Sequence, residues 1–275
     1  AGSALKSEKD LQIRNLDGRA TLYRDVLPEA GTLAVRSRIL KVSQAGDNII
    51  EEFDFQILQN EQRVYEGTTS FGFFTPVALV QQKGIQDETD RLRYEPAEKE
   101  LAAAESTIFD DRAPLTPDDL HAESGASLAM PAKAIRMIDR IDIYLPEGGP
   151  HGLGFVRGVK NVDPQEWFFK AHFFQDPVCP GSLGIESFLQ LLKYAAIKRW
   201  EHLRDSHQFY HIMEAPHVWK YRGQILPQNK KIEVEAVITA VSDGPHPEIR
   251  ANGVLMVDGL CIYRMENYGI RLEPR

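Results

Sequence analysis

From Leu33 onward apolar and polar residues alternate, with Leu33, Val35 and Ile39-Leu40 set between polar side chains. The same period returns at Ile232, Val234, Ala236 and Ile238. A repeat of two predicts strands that keep one face in a core. Both stretches lie in longer segments that read alike, Tyr23 to Phe74 and Tyr221 to Ile270. Each opens with Tyr-Arg and a Leu-Pro turn and then runs strand, polar turn, strand, short turn, strand. The first polar turn holds Ala45-Gly46-Asp47-Asn48 and its counterpart Ser242-Asp243-Gly244-Pro245, both suited to hairpins. Recurrence of a whole three-strand pattern outweighs any single strand assignment.

The copies differ in what precedes them. Before Tyr221, Ile135, Met137 and Ile138 begin an apolar strand or edge, the turn Glu147-Gly148-Gly149-Pro150 follows, and Gly152 to Val162 reads as another strand. Asp163-Pro164 then starts a turn into Trp167-Phe168-Phe169. A helix opens at Gly181. Its apolar residues, among them Leu183, Ile185, Phe188, Leu189 and Leu192, cover most of its circumference, so it is expected to be buried. Before Tyr23 there is no comparable helix. The chain is therefore expected to begin inside its first unit, as a fragment of a longer polypeptide. Residues 81–128 read as a linker: QQKGIQDETDRLRYEP is polar, AEKELAAAES is a short surface helix by propensity, and RAPLTPDDLHAESGAS is rich in prolines, acids and small residues. The expected organisation is a first partial unit over 1–80, the linker, and a complete unit over 129–275. Its class is α+β, with a curled antiparallel sheet around one long helix.

Composition narrows the function. A chain of 275 residues with 43% hydrophobic and 26% charged residues is a folded globular protein. A net charge of -8 without any basic run argues against a nucleic-acid partner. The two cysteines, Cys179 and Cys261, lack metal-ligand spacing and fit a reducing cytoplasm better than a disulfide scaffold. No apolar span is long enough for membrane insertion by a helix. His202, His207, His211 and His217 are close in sequence, but their spacing matches no zinc pattern and they read as scattered surface histidines.

The chemistry concentrates in His172 to Leu192, HFFQDPVCPGSLGIESFLQLL. It places an imidazole just before a helix N-terminus and the carboxylate of Glu186 inside the helix. Removing a proton from beside a carbonyl needs a base and a stabilised oxyanion. His172 is the candidate base, because imidazole titrates near neutral pH. Unpaired backbone N–H groups at the helix start, Gly181 first, can polarise a carbonyl. Glu186 stands in an otherwise apolar helix, where a carboxylate is costly unless paired or used, and is the candidate acid. Asp176 reads as shaping the turn or capping the helix, and Cys179 as a small apolar wall.

The motif, with WFFKAHF before it and YRGQILP after it, resembles the FabA/FabZ family of 3-hydroxyacyl-ACP dehydratases. The family signature H-F-x-x-D/H-P-x-M-P-G is met at His172, Phe173, Asp176, Pro177, Val178, Pro180 and Gly181, with Cys179 in place of the usual Met. The family's catalytic acid falls at Glu186, and Gln190 also matches. The resemblance runs from Pro131 to about Leu272. The first copy resembles only the latter half of the same fold, and two such units in tandem resemble the dehydratase domains of polyunsaturated fatty acid synthases.

This resemblance implies a hotdog fold, one complete and one C-terminal half, working as a hotdog pair or homodimer. It implies dehydration of a 3-hydroxyacyl chain, carried on the phosphopantetheine of an acyl carrier protein, to the 2-enoyl product in fatty acid or polyketide-like synthesis. Other domains of a multienzyme would be neighbours, and neither metal nor organic cofactor is needed. The implied substrate tunnel is lined by Phe173, Phe174, Val178, Cys179, Leu183 and Gln190. In the family the base and acid that meet come from facing units, so His172 and Glu186 are expected to serve different sites. Lys193, Lys198, Arg199, Lys220 and Arg222 are candidate contacts for an acidic carrier. Trans-2 to cis-3 enoyl isomerisation, a non-catalytic scaffold or acyl-binding module, and a thioesterase are the alternatives on the same fold.

Overall fold

A computed structural model describes residues 2–86, 93–109 and 128–275. Strand β1 (Gln12–Leu22) comes first, the first repeat then folds as β2 (Leu33–Ala45), β3 (Asn48–Gln59) and β4 (Gln62–Phe74), and a short helix α1 (Pro76–Val80) follows. Next come α2 (Glu98–Ala102), β5 (Glu105–Ile108), β6 (Arg140–Leu145), β7 (Phe155–Asn161), α3 (Trp167–Ala171) and the long helix α4 (Gly181–Arg199). The chain ends with β8 (His207–His211), β9 (Pro216–Tyr221), β10 (Lys231–Ser242), β11 (Glu248–Val257) and β12 (Leu260–Pro274).

The repeat extends to details that alternation does not show. Both first hairpin strands carry a register shift at the same place, after Ile39 in β2 and after Ile238 in β10. Both second turns are two residues long with positive φ, Asn60-Glu61 (49° and 61°) and Asp258-Gly259 (48° and 87°). That backbone matches the right-handed twist of the strands it joins.

The strands form one antiparallel sheet in the order β2-β3-β4-β1-β9-β12-β11-β10-β7-β6-β5, with β8 added on β12. The order reads alike outward from the middle, where β1 of the first unit pairs with β9 of the second from Asp17↔Lys220 to Thr21↔Pro216. At this junction Gly18 lies opposite Trp219, and a Cβ on Gly18 would collide with the indole ring. Glycine is what lets the two strands and that large ring share the space. The Trp219 indole N–H donates to Asn15 at 2.7 Å, which anchors the ring to β1.

Helix α4 fills the concave face of the second unit. Phe188, Leu191 and Leu192 are fully buried on it, packed with Ile232, Val234 and Ala236 of β10 and with Ile262 of β12. Among the described residues nothing covers the equivalent face of the first unit. Val35, Ile39, Leu40 and Val42 of β2 are 47–66% exposed, although they alternate as the β10 residues do. The expectation of a half-buried β2 is thus corrected, and the reason is packing: among the described residues no helix covers that face. No helix among them is long and apolar enough to cross a membrane.

Two expected strand boundaries move. The segment from Ile135 to Ile138 is not a strand; Lys133–Ile135 is a single 3₁₀ turn and pairing starts at Arg140. Gln190 of α4 holds it instead, accepting from the Met137 N–H at 2.8 Å and donating to the Ile135 carbonyl at 2.9 Å. The strand expected from Gly152 begins at Phe155, because Gly152 and Gly154 adopt φ of 65° and 131°.

The connector is partly built into the second unit. Ile85 is buried against Val254, Met256 and Cys261, and its N–H donates to the Cys261 carbonyl at 2.8 Å. Arg93 joins Arg157 on the buried carboxylate of Glu235, at 3.1 and 2.8 Å. The expected surface helix is present as α2, and β5 after it pairs with β6 at the sheet edge. The proline-rich RAPLTPDDLHAESGAS stretch lies outside the described residues.

Candidate active site

Helix α3 ends at His172, whose N–H donates to the Phe168 carbonyl at 2.9 Å. The chain then folds back on itself. Phe173 and Asp176 exchange backbone hydrogen bonds, Gln175 takes a φ of 56°, and the Val178 N–H returns to the His172 carbonyl at 2.8 Å. The Cys179 N–H donates to the Ile225 carbonyl at 3.0 Å, and Pro180 caps the start of α4. The motif residues thus form a closed loop clamped at both ends, with the imidazole inside it.

The His172 Nδ1 lies 2.9 Å from the Val178 carbonyl. A carbonyl only accepts, so Nδ1 carries the proton of the neutral ring and Nε2 keeps its lone pair. Gly181 and Ser182, at the first turn of α4, line the same cavity as His172, and among the described residues no side chain caps that turn. A Cβ on Gly181 would meet nothing within 4 Å, so the backbone faces open space there. The imidazole and the backbone at the positive end of a helix dipole therefore line one space.

That space is a cavity of ≈ 360 Å³ lined by both units. The second unit contributes the motif loop, the start of α4, Trp219, Tyr221 and Tyr263. The first contributes Ile13, Arg14, Asn15 and Phe71. Apart from Arg14, which is paired with Asp176, its walls carry little charge. Burial pushes the Cys179 thiol up to about 12 and raises the Tyr221 and Tyr263 phenols as well, so all three are neutral at ordinary pH. Gly184, one turn into α4, allows the Tyr263 ring to pack where a Cβ would come within 2.8 Å of it.

Of the sequence-predicted residues, His172, Phe173, Val178, Cys179 and Gly181 line this cavity. Phe174, Leu183 and Gln190 do not. Phe174 projects from the loop tip and is 91% exposed, and Leu183 packs at the edge of the main core. Gln190 is fully buried and spends its amide on the backbone of residues 135 and 137 and on Glu186. Glu186 is also outside the cavity. Its carboxylate accepts from Gln190 at 2.9 Å and from Lys193 at 3.0 Å.

The neighbouring expectations resolve in the same way. The cations considered as contacts for an acidic carrier are largely engaged within the chain: Lys193 with Glu186, Lys198 with Glu105 at 2.8 Å, Arg199 with Asp243 at 3.4 Å and Arg222 with Asp17 at 2.8 Å. Asp176 does not cap the helix; its side chain receives both terminal nitrogens of Arg14, at 2.6 and 2.7 Å. The clustered histidines diverge. His217 stacks beside Tyr65 and shares a 2.8 Å hydrogen bond with its hydroxyl, His211 pairs with Asp25 at 3.0 Å, and His207 meets Ser206. Among the described residues no group of three or more His, Cys, Asp or Glu is placed to hold a metal.

Sequence reasoning missed the first-unit wall. Strand β1 does not alternate cleanly, and its register breaks between Asn15 and Asp17, so nothing local marks Arg14 as part of a site.

A curled antiparallel sheet on one buried helix, with an imidazole at the helix mouth, defines a hotdog domain. Residues 130–266 match the FabA-like domain, and the chain belongs to that family. It is also 34% identical, over 281 aligned positions, to a polyunsaturated fatty acid synthase component of Thraustochytrium sp.. That alignment takes in 98% of this chain but only 18% of the relative's length. Solved structures resemble it more distantly. The tesB protein of Mycobacterium avium subs paratuberculosis aligns over 98% of this chain and 82% of its own, at 11% identity and a TM-score of 0.45. Acyl-CoA thioesterase II TesB2 from Mycobacterium marinum aligns over 96% and 82%, at 11% identity and a TM-score of 0.47.

Proposed function

We propose that the chain is a dehydratase segment of a fatty acid or polyunsaturated fatty acid synthase, acting on 3-hydroxyacyl thioesters of an acyl carrier protein in the cytoplasm. The observation that carries this reading is the free Nε2 of His172 beside the uncapped Gly181 and Ser182 amides, in a cavity with apolar walls. Nε2 takes the Cα proton while the amides hold the developing charge on the thioester oxygen. The Cβ–O bond then breaks, the Cα–Cβ double bond forms, and the hydroxyl leaves as water after accepting a proton from a carboxylic acid. General acid–base groups of this kind contribute about 10² to 10⁴-fold each.

The acid is the half of the site that comes from a facing unit. Glu186 lies outside the His172 cavity, so it serves the facing histidine, and His172 is served by a facing carboxylate. Residues 1–80 are then the C-terminal part of a first hotdog, 81–128 the linker and 129–275 the complete unit. The β2 face, bare among the described residues, is where a helix of the first unit would pack, and the facing half comes with such a helix or from a second copy of the chain.

The test follows enoyl formation from a 3-hydroxyacyl thioester. His172→Ala and Glu186→Gln are each expected to lower the rate by about 10² to 10⁴-fold. Equal rates in the unsubstituted protein and both variants would overturn the reading.

A further inference from the structure

Among the described residues the first unit has a bare face and no acid or base in the cavity, yet it places one strongly held cation there. We propose that Arg14 is a positioning residue for His172, locking the motif loop from across the unit junction; this rests on reading His172 as the base.

The Arg14 side chain is only 6% exposed, and all five of its N–H donors are used. Nη1 and Nη2 grip the two carboxylate oxygens of Asp176 at 2.6 and 2.7 Å. Nε and Nη2 both donate to the Gln224 side-chain oxygen, at 2.9 and 2.8 Å, and Nη1 also donates to the Ile13 carbonyl at 2.8 Å. Asp176 is the residue that exchanges backbone hydrogen bonds with Phe173, next to His172. Gln224 precedes Ile225, whose carbonyl holds the Cys179 N–H at the far end of the same loop. One guanidinium on β1 therefore fastens the two segments that clamp the imidazole.

The geometry suits positioning. A bidentate fork fixes the plane and the direction of a carboxylate, which a point charge does not. A buried arginine without its carboxylate is expensive, so the pair forms together or the loop moves. Loop displacement matters here because a catalytic group misplaced by about 1 Å can lose on the order of 10²-fold in rate. Arg14 touches no reacting atom in this arrangement; it acts through Asp176 on the orientation of His172.

The experiment compares the full chain with Arg14→Gln, Arg14→Lys, Asp176→Asn and the double variant Arg14→Gln/Asp176→Asn. The first readout is independent of turnover: solvent exchange of the His172 Nδ1–H, followed by NMR. Exchange is expected to quicken by about tenfold or more in Arg14→Gln as the loop loosens. The second is steady-state dehydration, where kcat is expected to fall about 10 to 100-fold with KM changed less than about threefold. The double variant should be no slower than the worse single, because both remove one contact, and Arg14→Lys should recover part of the loss. Unchanged exchange and kcat in Arg14→Gln, or losses that multiply in the double variant, would overturn the proposal. If Arg14→Gln fails to fold, Asp176→Asn and Arg14→Lys decide by the same readouts. A chain with no dehydratase activity at all would refute the proposed function, while the exchange measurement still decides the role of Arg14.

Discussion

His172 and Val178 hold each other by two hydrogen bonds: the imidazole Nδ1–H donates to the Val178 carbonyl at 2.9 Å, and the Val178 N–H donates to the His172 carbonyl at 2.8 Å. The residue that bears the base is thus fixed at its backbone and at its ring by the same partner. The tautomer follows from that partner. In ¹⁵N NMR of the neutral ring, His172 is expected to show a protonated Nδ1 and a bare Nε2. A dominant Nε2–H form would contradict the arrangement.

The junction of the two units turns on Gly18. A Cβ there has no room beside the Trp219 ring, so Gly18→Ala must push the indole or part β1 from β9. Overpacking of this kind costs about 1–3 kcal/mol. Thermal unfolding should shift down accordingly, with a change in tryptophan emission, and an unaltered melting curve would show that the junction yields freely.

Ile39 and Ile238 occupy matching places in the two repeats, each just before a register shift, yet Ile39 is 47% exposed and Ile238 is 3% exposed. Ile238→Ala is expected to cost about 2–5 kcal/mol through the cavity it leaves. Ile39→Ala should stay within about 0.5 kcal/mol, as surface changes do. Denaturant unfolding of the two variants measures the difference, and equal losses would mean that the β2 face is covered.

Alkaline conditions should destabilise the fold. Burial pushes the Cys179 thiol from 9.0 to about 12, and the Tyr65 and Tyr144 phenols from 10.0 to about 12. The folded chain keeps these protons where the unfolded chain has lost them, so unfolding releases protons and stability falls as pH rises. The fall should begin near pH 9, where the unfolded thiol ionises, and continue until the folded groups titrate near 12. Melting temperatures from about pH 8 upward check it; a flat profile through about pH 11 would count against these buried groups.

How much of this was legible in the sequence depends on how local each signal is. The repeat was readable because alternation and turn residues act over neighbouring positions, and Gly46 and Asp258-Gly259 sit where the backbone turns with positive φ. Helix α4 was readable from its nearly all-round apolar surface. The motif loop was readable because His172 through Gly181 are contiguous. What was not readable depends on partners distant in sequence. Arg14 and Asp176 are 162 residues apart, and neither has a local feature that names the other. Val35 and Val234 carry the same pattern, and only the presence of α4 over one of them makes it core. Gln190 looked like a tunnel residue because it matches a family position, but its amide is consumed by the backbone of residues 135 and 137.

The most direct test of the central claim separates the base from the acid. Hydrogen–deuterium exchange at Cα of an acyl thioester in D₂O needs only proton removal beside the carbonyl, and no leaving hydroxyl. Cα exchange is expected with the unsubstituted chain and with Glu186→Gln, and is expected to fall by about 10² to 10⁴-fold in His172→Ala. Exchange that persists in His172→Ala, or that disappears in Glu186→Gln while His172 is intact, would contradict that claim.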